Sequence, residues 1–220
     1  MEETDQSMAE ELAVLEGKPR AILDTAARLF AQQGYQKTSV DEIARLAGVS
    51  TGTVYYYFKS KELLLEAVQL RSVEAWNEAT HTAARAAPDS RAARIATALR
   101  ASAAYAMKDP VMRGLLTQDP RVFLPHNDKL KEAIIASIDV EYSLSLGAQT
   151  GELRSDLDVV RTSEAIRIVH DAMIRELFAS PEWSRSVDDT ARLEAVIDLI
   201  IYGILARPED RQTDRTASDD

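Results

Sequence analysis

A chain of 220 residues with a formal net charge of −10 and no cysteine is long enough to bury a sizeable core, and neither disulfides nor thiolate metal sites hold it together. No apolar run reaches the roughly 18 residues of a membrane span; the longest, from Val196, is short and is broken by Asp198. Without a secretory signal this fits a cytoplasmic protein, and sparse glycine and proline beside abundant alanine predict a nearly all-helical fold.

Residues 1–17 carry six acids and no base and read as an acidic, disordered leader, with a short docked helix along Met8, Leu12 and Leu15 as the alternative. Pro19 suits the first turn of a helix that carries Ile22, Ala26, Leu29 and Phe30 on one face and ends at Gly34. Ser39 and Glu42 then form a capping-box pattern, in which the side chains of each close a free N–H of the other. Val40, Ile43, Ala44 and Ala47 follow at helical spacing, and Gly48 stands where a helix ends left-handed. Ser50 can cap a second short helix that turns Val54 and Phe58 inward. A small residue at the crossing, a glycine at the corner and an apolar anchor beyond it make the helix-turn-helix pattern, whose second helix enters the DNA major groove.

Facing outward on that second helix are Ser50, Thr51, Thr53, Tyr55, Tyr56 and Tyr57. Short hydroxyls can bond base edges or pack on thymine methyls, and phenols can reach phosphates. Lys59 and Lys61 add positive charge at the exit. Three consecutive residues cannot all point inward on a helix, so at least one tyrosine is exposed; Tyr57 reads equally well as core.

From Ser60 a long helix is expected to run to about Ala87, with Leu63, Leu64, Ala67 and Val68 inward and Trp76 further on. Five more amphipathic stretches follow, at about 90–108, 110–116, 128–147, 158–178 and 187–206, divided by prolines and glycines. Residues 208–220 are polar, charged and without an apolar face, the composition of a disordered tail. The negative charge is unevenly placed: residues 18–71 hold 8 Lys/Arg against 5 Asp/Glu, whereas residues 72–220 hold 18 against 25. A mildly basic end on an acidic body turns that end toward a polyanion.

The run TSVDEIARLAGVSTGTVYYYFKSKELLLEAV, from Thr38 to Val68, resembles the DNA-binding domain of the TetR family of bacterial transcriptional regulators. The likeness covers about Ile22 to Val68, beginning with the helix that ends in LF and Gly34-Tyr35, and the rest of the chain agrees in length and helical pattern alone. The resemblance implies an all-α fold of about nine helices: a three-helix DNA-binding domain at 18–64 and a larger helical effector-binding and dimerisation domain at 65–207. It implies DNA contacts at Thr38, Thr51, Gly52, Thr53, Tyr55, Tyr56 and Lys61, with Thr38, Tyr56 and Lys61 on phosphates, and the neighbouring Ser39, Ser50 and Lys59 are expected to join them. It also implies a homodimer on a palindromic double-stranded operator, with the last two long helices (158–178 and 187–206) pairing with their copies. The alternative for these helices is a central place in a monomeric core.

A ligand-responsive regulator, a repressor by the same resemblance, needs an effector that prefers one of its two states. Tyr105, Met107, Met112, Leu116 and Phe123, then Ile138, Tyr142, His170 and Met173, are candidate lining for an adaptable apolar pocket, although ordinary core packing is the favoured reading of each. They predict a mostly hydrophobic effector with one or two polar groups. His170, amid Ile166, Val169 and Met173, needs a partner if buried, and Arg167 or Asp171 is the candidate. No cofactor, metal or catalytic site is expected, because His81, His126 and His170 lack ligand spacing and no nucleophile elbow or phosphate loop is present. Two other readings remain open: the same fold working as an activator or through protein partners without an operator, and, more remotely, an all-helical enzyme.

Overall fold

Helices in the computed structural model begin and end where the backbone chemistry of the sequence requires. The structure describes residues 17–122, 130, 140–179 and 187–206. The leader up to residue 16, Phe123, Ile138, His126, the first part of the helix expected from 128 and the tail lie outside the described residues. Within them run α1 (Lys18–Gln33), α2 (Val40–Ala47), α3 (Thr51–Tyr57), α4 (Lys61–Ala86) and α5 (Arg91–Lys108). Then follow α6 (Pro110–Leu116), α7 (Val140–Gln149), α8 (Val159–Ala179) and α9 (Val187–Ile204). The extended backbone among the described residues makes one isolated bridge, Leu153 with Leu205, and no helix there is long and apolar enough to cross a membrane.

The caps show why the helices stop. Gly48 takes φ 70° after α2, the left-handed conformation a Cβ resists, and its N–H returns to Ala44 O and Arg45 O. Asp109 starts α6, its carboxylate accepting from Val111 N at 2.8 Å and Met112 N at 3.0 Å ahead of Pro110's missing N–H.

The described residues fall into two units, one drawn from Met1–Asn77 and Ala106–Ile135, the other from Glu78–Tyr105 and Ala136–Asp220. In the first, α1 packs on α2, α3 and α6, burying Ile22, Leu23, Leu29 and Phe30 with Ile43 and Val54. Each such side chain contributes about 1.5–3 kcal/mol of burial, so this core holds the short α2 and α3 that could not persist alone. On α4 the inward stripe is Leu64, Leu65 and Val68, while Leu63 is exposed. The expectation for Leu63 is therefore corrected by one residue, because Leu65 and not Leu63 shares the face of Leu64 and Val68. Residues 106–122 join this unit through side chains: Ser72 Oγ donates to Asp109 Oδ2 at 3.0 Å, and Gln69 Nε2, buried, donates to Val122 O at 2.6 Å. Gly114 makes that packing possible, since a Cβ there would collide with Val122 Cγ2.

In the second unit α8 packs on α7 and α9, around Leu144, Leu153, Ile174 and Ile197. Glu152 is its polar clamp. The carboxylate accepts from Ser90 Oγ at 2.6 Å, Arg91 N at 2.8 Å and Ala92 N at 3.0 Å, closing the start of α5. Burial opposes the charge, but these donors prevail and hold the Glu152 carboxyl below the usual range. Arg154 N reaches Ile204 O at 3.0 Å and Ala206 N reaches Glu152 O at 3.2 Å, so the same loop fastens the end of α9.

Candidate nucleic-acid interface

Helix α3 is anchored on one side and open on the other. Val54 and Phe58 are buried, whereas Tyr55, Tyr56 and Tyr57 are 46%, 71% and 41% exposed. All three phenols therefore face solvent, and the core alternative for Tyr57 falls. Ser50 caps the helix by accepting from Thr53 N at 3.1 Å, and its Oγ lies 2.8 Å from Thr53 Oγ1. Gly52 is exposed, and an added Cβ would meet only Ser50 Oγ at 3.8 Å. Nothing within the protein requires a glycine there, although glycine inside a helix costs about 0.5–1 kcal/mol relative to alanine. The space left beside Gly52 is what the close approach of an external backbone needs.

Beyond the Ser50–Thr53 pair, Thr38 and Thr51, also expected on DNA, have their hydroxyls occupied internally. Thr38 is 2% exposed, its Oγ1 donating to Gly34 O at 2.9 Å and accepting from Gln33 Nε2 at 3.3 Å. Its N–H is bonded to Gly34 O and Tyr35 O, so Thr38 braces the turn ahead of α2 in this form. Thr51 Oγ1 donates to Asp41 Oδ1 at 2.7 Å, tying the first turn of α3 to α2. The capping box is half as expected. Ser39 Oγ accepts from Glu42 N at 3.1 Å, while the Glu42 carboxylate accepts from Gln33 Nε2 at 2.7 Å and so grips α1.

Both lysines are seated on rings. Lys59 Nζ lies 5.7 Å from the Tyr56 centroid and donates to Tyr56 O at 3.1 Å. Lys61 Nζ lies 4.2 Å from the Tyr35 centroid, within the range where the ring's negative face attracts a cation. Tyr35 is held in turn: its OH donates to Glu62 Oε1 at 2.6 Å, its N–H to Arg121 O at 2.8 Å, and its ring packs at 5.7 Å on Phe30. Burial, then the Glu62 bond and charge, push the Tyr35 phenol up to about 12, and the same bond holds the Glu62 carboxyl low. Tyr35 thus stays neutral and donating across physiological pH. Sequence reasoning passed over Tyr35, Gln33 and Asp41 as site residues; the usable signal was an aromatic directly after the helix-ending Gly34.

The predicted effector residues divide between the units. Met112 and Leu116 are buried in the first, and Met107 there is exposed. In the second, His170 and Met173 are buried, Tyr105 is half-buried and Tyr142 is exposed. Tyr142 lines a crevice of about 140 Å³ together with residues of α4, α5 and α7. His170, 2% exposed, has Nδ1 at 3.4 Å from Asp171 Oδ1, a long contact, and its Nε2 is buried with no hydrogen-bond partner. Outside, Val160, Ile168 and Val169 of α8 and Leu199 and Tyr202 of α9 are exposed. No group of three or more His, Asp or Glu among the described residues is placed to hold a metal ion.

A family model described as bacterial regulatory proteins, tetR family, matches residues 22–68, the stretch that builds α1 to α3 and opens α4. Residues 22–68 are a helix-turn-helix head of the TetR family. YuxN, an uncharacterized HTH-type transcriptional regulator of Bacillus subtilis, is 54% identical over 48 residues, which are 22% of this chain and 16% of YuxN. KstR2, an HTH-type transcriptional repressor of Rhodococcus jostii, is 28% identical over 193 residues, 83% of this chain and 90% of KstR2. The crystal structure of FadR from Bacillus subtilis in complex with stearoyl-CoA superposes with a TM-score of 0.69 at 23% identity, over 85% of this chain and 100% of that one, a likeness of fold. TetR-family identity is therefore concentrated in the helix-turn-helix head and thins beyond it.

Proposed function

We propose that the chain is a ligand-responsive repressor that grips a palindromic operator as a homodimer and lets go when a small molecule occupies its body. The observation that carries this reading is α3 itself: a helix pinned by Val54 whose free face offers Ser50, Thr53, an unfilled space at Gly52 and three wet tyrosines. In this reading residues 18–64 hold the DNA, α3 lying in the major groove with Tyr56, Lys59 and Lys61 toward phosphates. Residues 65–207 hold the effector and the second copy. The exposed apolar side chains of α8 and α9 support the dimer, since apolar surface left in water is favourably covered by a partner. Repression is supported by the name of KstR2 alone.

The unpaired, buried Nε2 of His170 supports an effector with at least one polar group, because a buried imidazole nitrogen without a partner is rare unless a ligand or water supplies one. That FadR holds stearoyl-CoA supports an apolar body for it.

Selection of bound duplexes from a random library, followed by titration of the winner at several salt concentrations, tests the reading. A palindrome bound by two chains with steep salt dependence is expected. Lys61→Ala should weaken all sequences alike and lower the salt slope by about one unit. No enriched sequence would sink operator binding and favour action through protein partners.

A further inference from the structure

The crevice in the second unit carries a chemistry that neither DNA binding nor the dimer face uses. It takes apolar lining from Ala84, Ile95, Ala98 and Val140, and cationic or titratable lining from His81, Arg85, Arg91 and Arg94. At about 140 Å³ it is close to the size at which an apolar cavity takes one benzene-sized ring. Arg91, Arg94, Ile95 and Ala98 recur at i, i+3, i+4 and i+7, so one face of α5 supplies both the charge and the apolar surface.

Three guanidiniums around so small a space need an answering anion, and the protein answers them poorly. Arg85 Nη2 reaches Glu78 at 3.2 Å and Arg94 Nη2 reaches Asp89 at 3.1 Å, but those acids are 73% and 93% exposed, so water screens both pairs. Glu152, beside the start of α5, is committed to Ser90 and to the Arg91 and Ala92 amides. Arg94 Nε is buried with no hydrogen-bond partner. A guanidinium N–H can only donate, so this atom calls for an acceptor that the described protein groups do not supply.

We propose that this crevice binds a small apolar molecule bearing a carboxylate or a phosphate. Its oxyanion accepts from Arg94 Nε–H and from Arg91 one turn away, and its ring-sized body fills the apolar lining. A neutral molecule of the same shape would offer Arg94 Nε only an uncharged acceptor and would leave the guanidinium charge unanswered. Occupancy touches the last turns of α4, the helix whose first residue is Lys61. That this reaches DNA rests on the reading of the chain as effector-controlled; the binding site itself does not.

Calorimetric titration of the full chain with benzoate, phenyl phosphate and benzyl alcohol tests the site. Saturable binding of one of the anions is expected, with benzyl alcohol at least about tenfold weaker and Arg94→Gln costing about tenfold or more. Arg91→Gln serves as the second variant should Arg94→Gln fail to fold, and the better anion separates carboxylate from phosphate. Benzyl alcohol binding equally well, a folded variant within about twofold of the unaltered chain, or no saturable heat up to about 10 mM of either anion would overturn the site. Because no DNA is present, such a failure leaves operator binding standing. An anion that binds without changing operator affinity keeps the site and removes its link to the head.

Discussion

Helix α3 and the α8–α9 face both expose large apolar side chains, but they do so with different chemistry. On α3 the exposed rings are phenols, Tyr56 stands edge-on to Tyr57 at 5.1 Å, and Lys59 sits over Tyr56. Such a surface stays hydrated until a polyanion covers it. Ile168, Val169 and Leu199 present only hydrocarbon, and Leu199 is 74% exposed. Water solvates that face badly, and a second apolar face is what answers it. On the proposed reading the two faces therefore answer to different partners, nucleic acid for one and a copy of the chain for the other.

The comparison breaks most visibly at Leu199. On the proposed dimer, Leu199→Glu should keep the helical content of the folded chain, lower the thermal midpoint as the partner's stabilisation is lost, convert the dimer to monomer in sedimentation and weaken palindrome binding by about 100-fold or more. A variant that stays dimeric would remove the α9 face from the interface. Next in size is Gly114→Ala, whose Cβ meets Val122. It should destabilise the first unit by about 1–3 kcal/mol in denaturant melts, and an unchanged midpoint would mean residues 119–122 are not held as described.

Glu152→Gln acts on the other unit, removing a charge-assisted cap at a cost of about 1–2 kcal/mol. The sign with pH follows from a carboxyl held low: its contribution is present above the ordinary glutamate range and is lost as pH falls through the folded value. The gap between Glu152→Gln and the unaltered chain should therefore close in acid, and a constant gap would deny the charge its role. The smallest effect sharpens α3. Gly52→Ala should raise the stability of the free protein by about 0.5–1 kcal/mol while weakening operator binding. Equal affinity would show that the open space beside Gly52 is not needed by DNA.

Where local chemistry decides, the fold was legible. Pro19, Gly34, Gly48 and Asp109-Pro110 act on their own backbone, and the helices of the structure follow them. The helix-turn-helix was legible because its three constraints lie within 15 residues, from Val40 to Val54. Partners were not. Which hydroxyl is free depends on who stands opposite, and nothing near Thr51 in the chain announces Asp41, ten residues earlier. The effector residues were harder still, because methionines and aromatics look alike to composition whether they fill a core, as Met112 does, or face water, as Met107 does. The arginines of the crevice escaped notice because a search for apolar residues passes over charge.

Tyr35 links Arg121, 86 residues further along the chain, with Lys61 at the start of α4. Its amide hangs from the Arg121 carbonyl, and its ring is the seat of the Lys61 ammonium. The segment after α6 and the cation at the start of α4 thus share one rigid lever of a single side chain. A displacement of the 119–122 segment would act on the Tyr35 backbone and, through its ring, on the position of the Lys61 ammonium. On the proposed reading, release from an operator then needs no large rearrangement of the head: a pull on the Arg121 carbonyl acts in both copies of the dimer and misplaces one phosphate-facing charge in each.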